Sequence, residues 1–240
     1  MTMNSKPGRR SVLGAFAAAA AVPVVGAWGA AAAPQGPAGA ARAVDASAER
    51  ESAAGPNVIM LIRHAEKPTD SGAPYGVTDQ GKKDSESLTV QGWTRAGALV
   101  ALFAPRTATG DPAPVPAGLT RPAGVFAADP TTGGSKRPAE TISVVAAALG
   151  LTPDEQYAKG DEAGLATALL ASTGPQLVAW EHKKIPAILA GLGPITPAPP
   201  ASWPDDRFDV VWVLTANGSG WTFSQVPQML LNGDSPNPIS

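Results

Sequence analysis

The chain has 240 residues, 44% hydrophobic and 16% charged, with a formal net charge of −2; it is long enough for one domain with a substantial core and too apolar to be wholly disordered. The absence of cysteine excludes disulfides, thiolate metal sites and cysteine nucleophiles. A charge this close to zero gives no reason to expect nucleic-acid binding.

In chain order, residues 1–33 read as an export signal. Lys6, Arg9 and Arg10 precede an Ala-, Gly- and Val-rich run from Val12 to Ala33, and Ala31-Ala32-Ala33 supplies small residues for cleavage. Arg9-Arg10 followed by Ser11-Val12-Leu13 resembles the twin-arginine signal, so the expected partner here is the twin-arginine export machinery and the expected location extracytoplasmic. The run is long enough to span a bilayer, but Pro23 and its many weakly hydrophobic residues favour cleavage over a stable membrane anchor. Residues 34–56, rich in Ala, Gly, Pro and Ser, have the composition of a flexible linker. The ordered domain is expected over 57–240.

Within it, strand and helix signals alternate. Val58-Ile59-Met60-Leu61-Ile62 is a continuous apolar run, as in a strand buried on both faces. Trp93, Ala96, Val100 and Phe103 recur at helical spacing after a polar start near Thr89. Gly124–Ala128 reads as a short strand and Pro138–Leu149 as a helix with Pro in its first turn. A helix over Glu162–Ala171, a strand over Leu177–Trp180 and a helix over Ile185–Leu192 follow. Phe208–Leu214 is a strong strand signal and Trp221–Val226 an edge strand, while Pro105–Pro122 and Pro194–Pro204 read as Pro-rich loops. The alternation predicts an α/β fold with three layers, a mostly parallel central sheet covered by helices on both faces.

Open α/β sheets bind ligands beyond the carboxyl ends of their strands, and the reactive side chains cluster there. The only two histidines, His64 and His182, each follow a strand directly: Arg63-His64 after the first, Glu181-His182 after the one ending at Trp180. The loop after Gly124–Ala128 delivers Arg137 to the start of a helix, where the helix N-terminus favours a bound anion.

These residues resemble the histidine phosphatase superfamily, which includes the phosphoglycerate mutases and acid phosphatases. The stretches that carry the resemblance are Leu61-Ile62-Arg63-His64-Ala65-Glu66-Lys67, Leu88-Thr89-Val90-Gln91-Gly92-Trp93-Thr94-Arg95-Ala96, Ser135-Lys136-Arg137-Pro138-Ala139-Glu140-Thr141 and Trp180-Glu181-His182. The resemblance covers residues 58 to about 215 and implies a phosphoglycerate mutase-like fold. It further implies a small phosphorylated substrate, His64 as the phosphorylated nucleophile, and Arg63, Arg137 and His182 as the phosphate clamp. Where the family commonly has Arg-His-Gly this chain has Arg-His-Ala, which speaks against the mutase branch. Physical chemistry supports the same set: phosphoryl transfer needs a nucleophile ringed by positive donors, neutral imidazole is a competent nucleophile, and the planar fork of Arg grips phosphate oxygens in pairs.

The proton donor to the leaving group has three candidates, Asp161, Glu162 and Glu181. Strand alternation turns Glu181 away from His182, so Glu162, opening a helix after Gly160, is the expected acid beside His64. Arg95 is expected on an exposed helix face; Glu66 and Lys67 either frame the pocket or are solvated. Two other functions fit part of the pattern. A catalytically silent phosphate-binding module would share the fold. A metallohydrolase would read His64-Ala65-Glu66 and Glu181-His182 as a His/Glu cage, which Arg63 and Arg137 oppose by their charge; no metal or cofactor is expected.

Overall fold

The computed structural model describes residues 56–132 and 135–240. The expected export signal, and the expected linker up to residue 55, lie outside the described residues. The fold is α/β, with helices packed on a mixed six-stranded sheet.

The strands are β1 (Val58–Arg63), β2 (Gly124–Ala127), β3 (Gln176–Trp180), β4 (Ile195–Thr196), β5 (Val210–Ala216) and β6 (Trp221–Pro227), ordered β2-β3-β1-β5-β6-β4 across the sheet. The helices are α1 (Val90–Ala98), α2 (Val100–Phe103), α3 (Arg137–Leu149), α4 (Glu162–Ala171) and α5 (Ile185–Gly191). Side-chain alternation along each strand divides the core between the two sheet faces. Ile59 and Leu61 of β1 pack with Leu165 and Leu169 of α4 and Ile188 of α5. Met60 and Ile62 pack with Leu102 and Phe103 of α2 and Ile142 and Val145 of α3. Burial on both faces is why β1 carries no polar residue before Arg63.

β2, β3 and β1 are mutually parallel, with Ala127 opposite Ala179 and Arg63 opposite Trp180. Their carboxyl ends therefore lie side by side, and the segments leaving them reach one end of the sheet together. The other half corrects the expectation of a mostly parallel sheet: β5 is antiparallel to both β1 and β6. The connection accounts for the second of these pairs. Only the turn Asn217–Gly220, closed by a hydrogen bond from Asn217 N to the carbonyl of Gly220, joins β5 to β6, and a link so short can only make a hairpin. Nor is β6 an edge strand. The two-residue β4, inside the Pro-rich segment expected to be all loop, pairs parallel to its outer side. Among the described residues no helix is long and apolar enough to cross a membrane.

Candidate active site

The polypeptide turning out of β1 is fastened on two sides. Ala65 N donates to Thr141 Oγ1 at 2.8 Å, and that hydroxyl donates to the carbonyl of Arg137 at 2.6 Å. Thr141 thus ties the residue after His64 to the first turn of α3. On the other side, Thr89 caps α1 by accepting from Gly92 N at 3.1 Å, and its own N–H donates to the carbonyl of Glu66 at 3.0 Å. Gly92 lets this contact exist: a Cβ there would sit 2.6 Å from the Glu66 carbonyl oxygen. Glu140 completes the frame, its carboxylate accepting from Ser87 Oγ and Leu88 N at 2.7 and 2.8 Å.

This frame brings His64, His182 and Arg137 to a cleft of about 220 Å³. Both imidazoles are buried, with ring centroids 6.5 Å apart and nearly perpendicular. His64 Nδ1 lies 2.8 Å from the carbonyl of Ala65. A carbonyl only accepts, so Nδ1 carries the proton and Nε2 keeps its lone pair. Burial, with Arg63, Arg137 and His182 nearby, drives the His64 pKa down to about 3, outweighing the opposing effect of the Ala65 hydrogen bond. His64 is therefore neutral at physiological pH, the form a nucleophile needs.

Arg63 stands behind the cleft. Its Nη1 donates to the carbonyls of Pro204, Asp205 and Arg207 at 3.2, 2.6 and 3.2 Å, and the guanidinium lies 3.8 Å over the ring of Phe208. Burial lowers its pKa to about 10 against the pull of Asp205 and Asp206, so it remains a cation at neutral pH. Arg137, the first residue of α3, donates through Nη2 to the carbonyl of Ser85 at 2.6 Å.

Four buried side-chain nitrogens have no hydrogen-bond partner among the described residues: Nε and Nη2 of Arg63, Nε of Arg137 and Nδ1 of His182. Unsatisfied buried polar groups are uncommon in native structures and call for a reason. All four belong to the three residues singled out as an anion clamp.

The expected proton donor lies away from the other site residues. Glu162 does not line the cleft. It is buried, and its Oε1 accepts from Trp180 Nε1 at 3.1 Å and from Gly160 N at 3.0 Å. Its neighbour Asp161 caps α4, accepting from Gly164 N. Glu181 does line the cleft, because β3 ends at Trp180 and the chain turns before strand alternation applies to the next residue. Its Oε2 makes no aligned hydrogen bond but lies 3.2 Å from Lys159 Nζ. Accordingly, Glu162→Gln, which keeps an acceptor for the indole, is expected to leave stability nearly unchanged. Glu162→Leu, which strands the buried Trp180 N–H, should lower stability by about 1–3 kcal/mol, as measured by urea denaturation.

Arg95 also departs from expectation. It is 3% exposed, not on a solvated face, and its guanidinium bridges Glu66 at 2.9 Å and Asp234 at 2.7 Å. Glu66 is thus committed to Arg95 while Lys67 lines the cleft. Sequence reasoning missed Asp205, Lys159 and Lys183, all of which line the cleft. Asp205 sits at the end of a Pro-rich stretch without a motif, so no local signal marks it. Among the described residues, no three His, Asp or Glu side chains converge as metal ligands. The chain matches no known family model and no curated protein sequence.

Proposed function

We propose that this protein is an exported phosphomonoester hydrolase of the histidine phosphatase type, acting through a phosphohistidine on His64. Export rests on the Arg9-Arg10 segment and the apolar run behind it; the sheet and its helices would then be a variant of the three-layer phosphoglycerate mutase-like arrangement. The single observation that carries the chemistry is the set of unpartnered buried nitrogens on Arg63, Arg137 and His182, beside a histidine whose Nε2 is free. The two guanidiniums are fixed donors of the kind a developing phosphoryl charge requires, and His182 Nδ1 joins them when its ring is doubly protonated.

In the first step, the lone pair of His64 Nε2 forms a bond to phosphorus while the bond from phosphorus to the ester oxygen breaks. The departing oxygen takes a proton from a carboxylic acid. Three carboxyls line the cleft. Hydrogen bonds from Thr131 and Thr132 hold Asp129 well below the ordinary carboxylate range, and the hydrogen bond from His182 lowers the Asp205 carboxyl as well. Glu181 is then the donor in this reading. In the second step water attacks phosphorus, the nitrogen–phosphorus bond breaks, and the water proton returns to the Glu181 carboxylate. A second cleft of about 410 Å³, lined by Tyr75 and Lys83 among others, shares Lys67 and Arg137 with the first. It gives the leaving group room to extend away from the phosphoryl site.

The test is turnover by the purified domain on alkyl and aryl phosphates in EDTA. Hydrolysis is expected to survive chelation and to be inhibited by vanadate. Activity lost with EDTA and restored by zinc or manganese would favour the His/Glu cage. Phosphate binding without turnover would make the protein a silent binding module.

A further inference from the structure

His182 lines the cleft with its two ring nitrogens in unlike settings. Nδ1 is buried without a partner, whereas Nε2 is hydrogen-bonded to Oδ1 of Asp205. A carboxylate accepts, so Nε2 carries a proton and the neutral ring leaves Nδ1 bare. A bare nitrogen repels a phosphoryl oxygen; it becomes a donor only when the ring takes a second proton.

The residue on Nε2 is itself held. Arg63 Nη1 donates to the backbone carbonyl of Asp205 at 2.6 Å and to the carbonyls on either side of this turn, Pro204 and Arg207. Trp203, packed on Trp212 with ring centroids 4.7 Å apart, donates from Nε1 to the carbonyl of Arg207 at 2.8 Å. The backbone that presents Asp205 is thus pinned, although its side chain is 73% exposed. An exposed carboxylate bonded to a buried imidazole, on a turn braced by a buried arginine, is more than a surface ion pair needs.

We propose that Asp205 is a positioning residue: its carboxylate orients His182 through Nε2–H and favours the doubly protonated ring, whose Nδ1–H then donates to a phosphoryl oxygen, and Arg63 holds the backbone that presents it. The consequence for phosphate rests on the phosphatase reading; the effect on the ring does not.

The charges around His182 set the direction of the pH response. Burial lowers its pKa first, Arg63 and Lys183 lower it further, and Asp205 is the group that raises it. His64 faces it across the cleft, and the Glu181–Lys159 pair flanks it on its own side. Removing the Asp205 carboxylate therefore moves the imidazolium to lower pH, away from physiological conditions.

With only two histidines in the chain, ring nitrogen and carbon NMR signals can be followed for each one separately. In the wild type, His182 is expected as the Nε2–H tautomer, and inorganic phosphate should raise its pKa. In Asp205→Ala the tautomer should become mixed and the titration fall to lower pH. Phosphatase kcat/KM should drop on the order of tenfold or more, as when the partner orienting a functional imidazole is removed, with the alkaline limb displaced to lower pH. Asp205→Glu should restore part of both effects. If Asp205→Ala leaves the His182 tautomer and titration as in the wild type, the proposal is overturned, whatever phosphate does. If the variant alters His182 as described but phosphate perturbs neither imidazole of the wild type, the positioning role stands and the phosphatase reading falls.

Discussion

His64→Ala is expected to abolish the covalent intermediate and to lower kcat by on the order of 10⁴-fold or more, the scale on which loss of a nucleophile acts in hydrolases. Brief incubation of the wild type with labelled substrate, followed by quenching, should trap a phosphoenzyme that is stable in base and labile in acid. The reason lies in the hydrogen bond that commits Nδ1 to the Ala65 carbonyl and leaves Nε2 unprotonated. Since burial holds the His64 pKa near 3, protonation of the nucleophile contributes no acid limb near pH 6.5. Any fall in kcat/KM between about pH 5 and 7 should therefore come from another group. Label retained by His64→Ala, or an acid limb at the ordinary histidine pKa assigned to His64 by NMR, would remove it from the nucleophile's role.

Arg95→Met should be the most destabilising single change away from the cleft, by about 3–5 kcal/mol, because it leaves two carboxylates in the interior without their cation. Side-chain exposure is 4% for Arg95, 13% for Glu66 and 4% for Asp234. A surface pair would contribute only about 0–1 kcal/mol. The clasp also joins the segment after His64 to the chain's last turns, since Asp234 accepts from Leu230 N and Leu231 N as well. Burial pushes the Asp234 carboxyl up, but the Arg95 hydrogen bond and those two backbone donors overcome it, leaving its pKa below the ordinary 3.8. A depressed folded pKa stabilises fully above 3.8 and loses its contribution as pH falls through the folded value. The gap between wild type and Arg95→Met, measured by urea denaturation, should therefore be widest near neutrality and narrow below about pH 4. A loss under about 1 kcal/mol at pH 7 would mean that water reaches the carboxylates once the guanidinium is gone.

The sequence by itself determined the local elements and the residues that leave them. β1 was legible because burial on both faces demands an unbroken apolar run, and α4 because a run rich in the strong helix formers Ala and Leu follows Gly160. The placing of Arg63-His64 and Glu181-His182 at strand ends followed from the same patterns, since a strand stops where its apolar run stops. Which side chains then meet was decided by tertiary structure alone. Glu162 opens its helix as expected yet points its carboxylate to the Trp180 indole, and nothing within either segment encodes that encounter. Glu181 enters the cleft because the chain turns immediately after Trp180, a break in alternation invisible to a period of two. Arg95 looks solvated on its own helix and is buried because Glu66 and Asp234, 29 residues before and 139 after it, close over it. Asp205 lies 23 residues from His182 and reaches it only through a turn that Arg63 holds. Local periodicity records which face of an element is covered; it carries no information about what covers it, and the electrostatics of this cleft depend on that second fact.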